Sequence, residues 1–259
     1  MIVLAELFPR GVNELFDWPV IFGKDTIIAF NKTAFMALVS TAICIGIFFV
    51  GSRKRRLVPV GIQNVAETGY EAVEKNISVE VMGAEGTKWT PFLATLFFFI
   101  FFMNIFEVIP PIQFPATSRF AIPLYLALQT WVIFIIVGFV KQGPFYIFKA
   151  ITPPGVPKFL YLLVIPIELV SIFLIRPFSL AVRLFANMVA GHVLLTVFAV
   201  MCWELSKMNS GTYQLAFIPL PFFGLMAMVG FEILVALLQA YIFTILTAVY
   251  VGEAIHPEH

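Results

Sequence analysis

Hydrophobic positions in this chain gather into long, nearly unbroken runs. They show neither the one-sided nor the alternating pattern of a water-soluble fold. A helix needs about 20 apolar residues to cross a bilayer. Ile27 to Val50 is the first such run, with Lys32 near one end, where its ammonium can snorkel to water. It closes at Gly51-Ser52 and the basic block Arg53-Lys54-Arg55-Arg56. Pro91 to Ile109 is the second run, closed by Pro110-Pro111, and Ile122 to Val140 is the third, ending at Lys141. Phe145 to Ile151 is too short to cross and is expected along the interface, before a turn at Thr152-Pro153-Pro154-Gly155.

Two longer runs follow. Lys158 to Trp203 is interrupted only by Pro166 and Pro177, and Gln214 to Ala254 has few polar positions. As helices they would be roughly 60–70 Å long, whereas the hydrocarbon core is about 30 Å thick. Ordinary tilts rarely exceed about 40°. These helices either lie steeply inclined or break at the prolines; the favoured expectation is a steeply tilted antiparallel hairpin, joined through Lys207-Met208-Asn209-Ser210-Gly211.

Pro59 to Met82 has a different rhythm. Ile62, Val65, Ala66, Gly69, Tyr70, Val73 and Ile77 recur at helical spacing, with Glu67, Glu71, Glu74 and Lys75 between them. This predicts an amphipathic helix on the membrane face or against a partner helix. The whole is an all-α integral membrane protein with about five crossings. It divides into an external segment (1–26), a first transmembrane helix (27–50) and a basic loop with the amphipathic helix (51–90). The second and third crossings follow with the short interfacial helix (91–157), and then the hairpin (158–259).

Composition sharpens the class. The chain is 61% hydrophobic and 12% charged, with mean hydropathy +0.98; a soluble domain carries about twice that share of charge. A net charge of +1 removes an electrostatic case for nucleic-acid binding. Lys/Arg-rich loops stay cytoplasmic, so the 53–56 block sets the amino terminus outside and, after five crossings, the carboxyl terminus in the cytoplasm. The first residues have neither a signal-peptide order nor an arginine-rich transit pattern, which favours a bacterial cell membrane. Cys44 and Cys202 lie in apolar runs without a disulfide or CxxC pattern. No P-loop GxxxxGK[ST] occurs, so no nucleotide is expected, and His256 and His259 are too weak a pair for a metal. No cofactor is expected.

The candidate chemistry lies in the hairpin. Arg183 sits in SLAVRLFANMVAGHVLL, where a charge at the bilayer centre costs about 2.5–3.5 kcal/mol on insertion scales. Glu168, Arg176 and His192 share its run; Glu232 and Glu253 lie on the other, with Asn187, Gln239 and Tyr250 as neutral polar groups. Glu232, Gln239 and Tyr250 fall within about 20° of one helix face, a stripe about 27 Å long. An antiparallel pair keeps the sum of facing residue numbers constant. Glu168 with Glu253, Ser171 with Tyr250, Arg183 with Gln239 and His192 with Glu232 all satisfy this, about a midpoint in the expected turn. Depth matches, although His192 stands about 180° round the helix from Arg183. Polar glue between helices explains Asn187 or Gln239 singly; it does not require several ionisable groups. Asn104 and Glu107 form a second cluster near the outer end of the second run. With His192 and Glu232 they suggest the mouth of an aqueous proton path, since His and a buried Glu can both titrate near neutral pH. Glu168, Ser171 and Tyr250 can line a second path on the inner side.

The runs IELVSIFLIRPFSLAVRLFANMVAGH and LQAYIFTILTAVY resemble the subunit a family of the F-type ATP synthases. The resemblance covers roughly 159–253; the amino-terminal half is similar in layout and in MNIFEVIP. It implies a non-catalytic stator subunit in which Arg183 faces a rotor ring of c subunits, with Gln239 opposite and Asn187 beside it. It places a histidine/acid pair at His192 and Glu232, and outer half-channel residues at Asn104 and Glu107. The implied partners are the c-ring, the peripheral-stalk b subunits and the lipid bilayer. Ala186 stands where bacterial members commonly have glycine. Two other functions remain open on the residues alone: a self-contained proton or cation transporter, and a structural scaffold. Neither an inverted repeat nor a cluster of cation-coordinating carboxylates favours the former.

Overall fold

The computed structural model describes residues 32–53, 56–109, 116–152, 157–207 and 219–255. Every long element among them is a helix. They are α1 (Lys32–Arg53), α2 (Ile62–Val73), α3 (Gly86–Ile105), α4 (Ala121–Gln142), α5 (Tyr146–Ile151), α6 (Tyr161–Val170), α7 (Arg176–Lys207) and α8 (Pro219–Ile255). Five helical stretches are long and apolar enough to cross a membrane. The chain is an all-α, multi-pass membrane protein. In hydrocarbon a helix satisfies its own backbone N–H and C=O groups, which is why it dominates here.

The stretch Ile62–Ile105 is not one straight rod. As a single helix it would hold Gly69 and Phe98 roughly 40 Å apart, yet Gly69 packs directly on the Phe98 ring. The chain reverses at Gly83, whose φ of 63° is the left-handed conformation that favours glycine. Ser78 Oγ then donates to the Gly86 carbonyl, and Thr90 Oγ1 to Ser78 Oγ at 3.1 Å. Thus α3 alone supplies the second crossing. The amphipathic helix meets partners, α3 and α1, with Gly51 against Ala66. Its buried face differs from the expected stripe: Ala66, Val73, Ile77 and Ser78 are buried, while Ile62 and Val65 are exposed. Gln63, Ala66 and Val73 repeat at ordinary helical spacing, so the buried face of α2 lies one position round from Ile62 and Val65; a π-helical turn over Glu74–Val79 follows it.

The long hairpin forms as expected over most of its length. Gly224 packs on Phe198, Gly191 on Glu232, and Gln239 bonds to Arg183, so residue numbers of facing positions keep a constant sum. Its turn lies outside the described residues, as do the amino-terminal segment and the two terminal histidines. The proline-interrupted run stays helical from Tyr161 to Lys207. Pro177 cannot donate to the Phe173 carbonyl one turn back. Instead of breaking, the chain widens into a π-helical turn over Ser171–Ile175, and the indole N–H of Trp131 on α4 donates to the Ile172 carbonyl at 3.0 Å.

Helix α8 is the hub, packed on α3, α4 and α7. Its buried stripe is mostly small, with Ala236, Ala240, Thr244, Thr247, Ala248 and Ala254, so neighbouring backbones approach closely. Thr244 and Thr247 return their hydroxyls to carbonyls four residues back, leaving no unpaired group. Larger side chains fill the remaining space: Leu93 and Ile100 from α3, Phe134 from α4, Leu184 from α7. By contrast α6 buries no residue at all.

The reversal at Gly83 depends on close approach at Gly86, where a Cβ would strike the Ser78 carbonyl. Gly86→Ala is expected to destabilise the fold by about 1–3 kcal/mol, as overpacking does. Thermal unfolding of the purified protein checks this: an earlier midpoint is expected for Gly86→Ala, and an unchanged one for Thr87→Ala, whose site is exposed.

Candidate functional site

At one end of the bundle α3 stops at Ile105. The turn Phe106–Val108 folds back on it, through bonds from the Glu107 N–H to the Asn104 carbonyl and from the Val108 N–H to the Ile105 carbonyl, both 3.1 Å. This turns Asn104 and Glu107 inward, 1% and 2% exposed. Thr117, in the 3₁₀ turn Ala116–Ser118, donates its hydroxyl to Asn104 Oδ1 at 2.7 Å. His192 of α7 brings Nδ1 to 3.7 Å from Glu107 Oε1. Glu232 of α8 is 2% exposed, with its carboxylate against the Cα of Gly191; a side chain there would occupy the carboxylate's place. Lys32, at the start of α1, stands within electrostatic reach of His192.

These groups adjoin a cavity of about 360 Å³. Glu107, His192 and Thr196 give it a polar wall; Val108, Leu195, Ala199, Leu225 and Val229 give it an apolar one. Asn104 Nδ2, Glu107 Oε1 and Glu232 Oε2 are buried without a hydrogen-bond partner from the protein. Leaving such atoms unsatisfied costs about 1–3 kcal/mol each. Of these, Glu107 lines the cavity, which has room for water to bond its Oε1. Four of the expected residues, Asn104, Glu107, His192 and Glu232, are therefore brought together from three separate segments.

Half-way along the hairpin the arrangement changes. Arg183 and Asn187 lie exposed on the outward face of α7, flanked by Ala186 and Ala190. Small residues on such a face let a neighbouring helix approach. Gln239 is buried behind them, and its Nε2 donates to the main-chain carbonyl of Arg183 at 3.2 Å. The two are opposite in depth, as expected, but the bond is to the backbone, and the guanidinium stays with the outward face.

At the other end Arg176 takes the acid and the tyrosine of α8: its Nη1 lies 2.6 Å from Glu253 Oε2. Tyr250 lies under the same guanidinium, 5.0 Å from ring centroid to Cζ. Side chains on a helix lean toward its amino terminus, so Arg176 reaches past its own level to residues nearer the end of α8. Glu168 and Ser171 are half-buried on α6 and the wide turn. Gln142, the last residue of α4, donates Nε2 to the Ala254 carbonyl at 2.8 Å. Tyr146 of α5 is buried nearby, and burial pushes its phenol above the usual tyrosine range. Lys141 and Glu85 pair at 3.1 Å at this same end.

The sequence reading missed Thr117, Lys32 and the Arg176–Glu253 pair. Arg176 carried a usable signal, an arginine in an apolar run two turns from Arg183. Thr117 carried none, since its contact with Asn104 arises only in the fold. Among the described residues no group of three or more His, Cys, Asp or Glu is arranged to hold a metal ion.

A long helix hairpin with an outward-facing arginine between a buried acid–histidine cavity and an ion-paired cluster defines an all-α, multi-pass membrane protein with ionisable groups inside its apolar helices. The family model described as ATP synthase A chain matches residues 34–252. The chain is 39% identical over 264 residues to ATP synthase subunit a of Frankia alni, covering 99% of this chain and 90% of that protein. It is 38% identical over 257 residues to the subunit a of Streptomyces lividans, covering 97% and 89%. To that of Acidiphilium cryptum it is 44% identical over 237 residues, covering 91% of each. The chain belongs to the ATP synthase A chain family.

If the cavity holds water, a cysteine on its wall should react with a water-soluble thiol reagent. With Cys44 and Cys202 replaced, Thr196→Cys is expected to react at least about tenfold faster than Met188→Cys, which is fully buried. Equal rates would show that the cavity is dry.

Proposed function

We propose that this protein is the stator subunit that carries protons across the membrane sector of an ATP synthase, through two half-channels that meet at Arg183. Family membership supplies the coarser statement, a proton-transporting subunit of the membrane sector. The observation that carries the finer one is the division of polar groups along the hairpin: a buried acid–histidine cavity lies at one end, a tyrosine and ion-paired cluster at the other, and an exposed arginine between them.

A carboxylic acid on a rotor ring of c subunits stays protonated in lipid, because a bare charge there is costly. Beside Arg183 it ionises, because an opposite charge lowers its pKa. Protons reach it from outside past Asn104, Glu107, His192 and Glu232. After a nearly full turn of the ring, protons leave to the cytoplasm past Tyr250, Ser171 and Glu168. An arginine stays charged at any physiological pH, so Arg183 bars a direct leak between the two paths and makes protons ride the ring. Asn187 lies one turn along the same face, and Gln239 steadies the backbone that carries the arginine. Ala186 and Ala190 leave room for a rotor helix. The basic block at 53–56 assigns the Glu253 end to the cytoplasm, where the peripheral-stalk b subunits dock. No step makes or breaks a covalent bond other than to hydrogen, so the chain itself is no enzyme. The tilt of the hairpin follows from its length: the 37 residues of α8 span about 55 Å against a core of about 30 Å.

Arg183→Ala in the assembled complex is expected to lower ATP-driven proton pumping at least about a hundredfold. Cysteines at Ala186 and Ala190 should cross-link to a small rotor subunit, while one at buried Met188 should not. Normal pumping by Arg183→Ala would sink the reading. Proton transport by the purified chain alone, without cross-links, would instead make it a self-contained transporter.

A further inference from the structure

Arg176 has no part in the path drawn above, yet it is the best-held cation described at its end of the molecule. Its guanidinium bonds to Glu253 at 2.6 Å and covers the Tyr250 ring at 5.0 Å. It occupies the same face of α7 as Arg183, two turns nearer the helix start, with Ser179 between them. Tyr250 lies within electrostatic reach of both arginines. Beside this cluster Gln142 Oε1 is buried without a partner, which marks a place where water belongs. Four helices meet here: α4 through Gln142, α5 through Tyr146, α7 through Arg176, and α8 through Tyr250 and Glu253. The groups facing the ion pair are Tyr146 and Tyr250, with Arg183 farther along; Glu80, on the turn packed against this end of α8, is exposed to solvent.

Resting on the half-channel reading, we infer that the Arg176–Glu253 pair is an ionic latch across the inner path, with Arg176 as the positioning residue and Glu253 the group that opens it. The paired guanidinium lies over Tyr250 and closes the space between Arg183 and the inner water. A proton arriving from the Arg183 side adds to a Glu253 carboxylate oxygen. The O–H bond forms, the ion pair is lost, and Arg176 keeps its charge while losing its anchor. Release of that proton to inner water restores the carboxylate, and the pair closes again. Half of the Glu253 side chain is exposed, and exposed ion pairs are weak enough to break and re-form readily. A permanently charged residue suits the role, because the latch then answers only to the protonation of its partner.

The test uses everted membrane vesicles carrying the whole complex, with Cys44 and Cys202 replaced and Ser179→Cys as the reporter. A membrane-impermeant methanethiosulfonate is applied from the exposed inner face, and labelling rate and ATP-driven proton pumping are read in the same vesicles. Arg176→Gln is expected to raise the labelling rate about tenfold and to slow pumping several-fold. Arg176→Lys, which keeps the charge, should label like the parent. Glu253→Gln provides the same reading from the other partner should Arg176→Gln fail to assemble. The exchange R176E with E253R should restore slow labelling. Labelling that is indifferent to both neutral variants, or equally fast in Arg176→Lys, would overturn the latch. Arg183→Ala separates the two ideas: if it abolishes pumping while labelling ignores Arg176, the latch alone fails; if it pumps normally, the half-channel reading has failed first.

Discussion

The hydrogen bond from Gln239 to the backbone carbonyl of Arg183 fixes the register of α7 against α8. A slip of one residue on either helix would rotate its polar groups by about 100°, and none of the later contacts would survive. With this bond in place, Glu232 falls on Gly191, His192 reaches Glu107, and Phe198 covers Gly224. A single such bond contributes about 1 kcal/mol. Its leverage comes from the small-residue stripe of α8, which holds the helices close enough that alternative registers would clash.

The two ends of the hairpin handle polar groups in opposite ways. Around Glu107 and Glu232, carboxyl oxygens are buried without a hydrogen-bond partner from the protein, beside a cavity that Glu107 lines. Around Arg176 and Glu253, charges neutralise each other near the surface. The first arrangement suits groups that must gain and lose protons in place. The second tolerates water on one side and needs no cavity. Between them Arg183 is held through its backbone carbonyl by Gln239, on the exposed face of α7.

The fold was largely legible because hydrocarbon permits few structures: long apolar runs had to be helices, and their order followed from their lengths. The index pairing of Arg183 with Gln239 and of His192 with Glu232 also survived, since regular helices in an antiparallel pair keep step. It does not foresee how far a long side chain reaches: Arg176 leans toward its helix start and takes Glu253 and Tyr250. The face of α2 was partly misjudged because the apolar Ile62 and Val65 are exposed while the polar Gln63 is buried, bonded to the Arg56 carbonyl and to Glu67. The reversal at Gly83 falls between the two elements expected there, Pro59 to Met82 and Pro91 to Ile109, but the Ser78–Gly86 contact that closes it leaves no mark in the sequence pattern. Thr117 was beyond reach, because its partner is fixed only by the packed turn.

Helix α6 has a consequence of another kind. It is almost wholly apolar, yet none of its residues is buried by the rest of the chain. Covalent continuity with α7, the Trp131 bond to the wide turn and contact with α5 hold it, but none of its side chains is enclosed by the described residues. Its environment must come from lipid tails or neighbouring subunits, so its conformational stability is a shared property rather than one encoded in this chain. A detergent that solvates the bundle well can still leave this helix in the wrong place, and an unfolding free energy measured on the isolated subunit would describe the solvent as much as the protein.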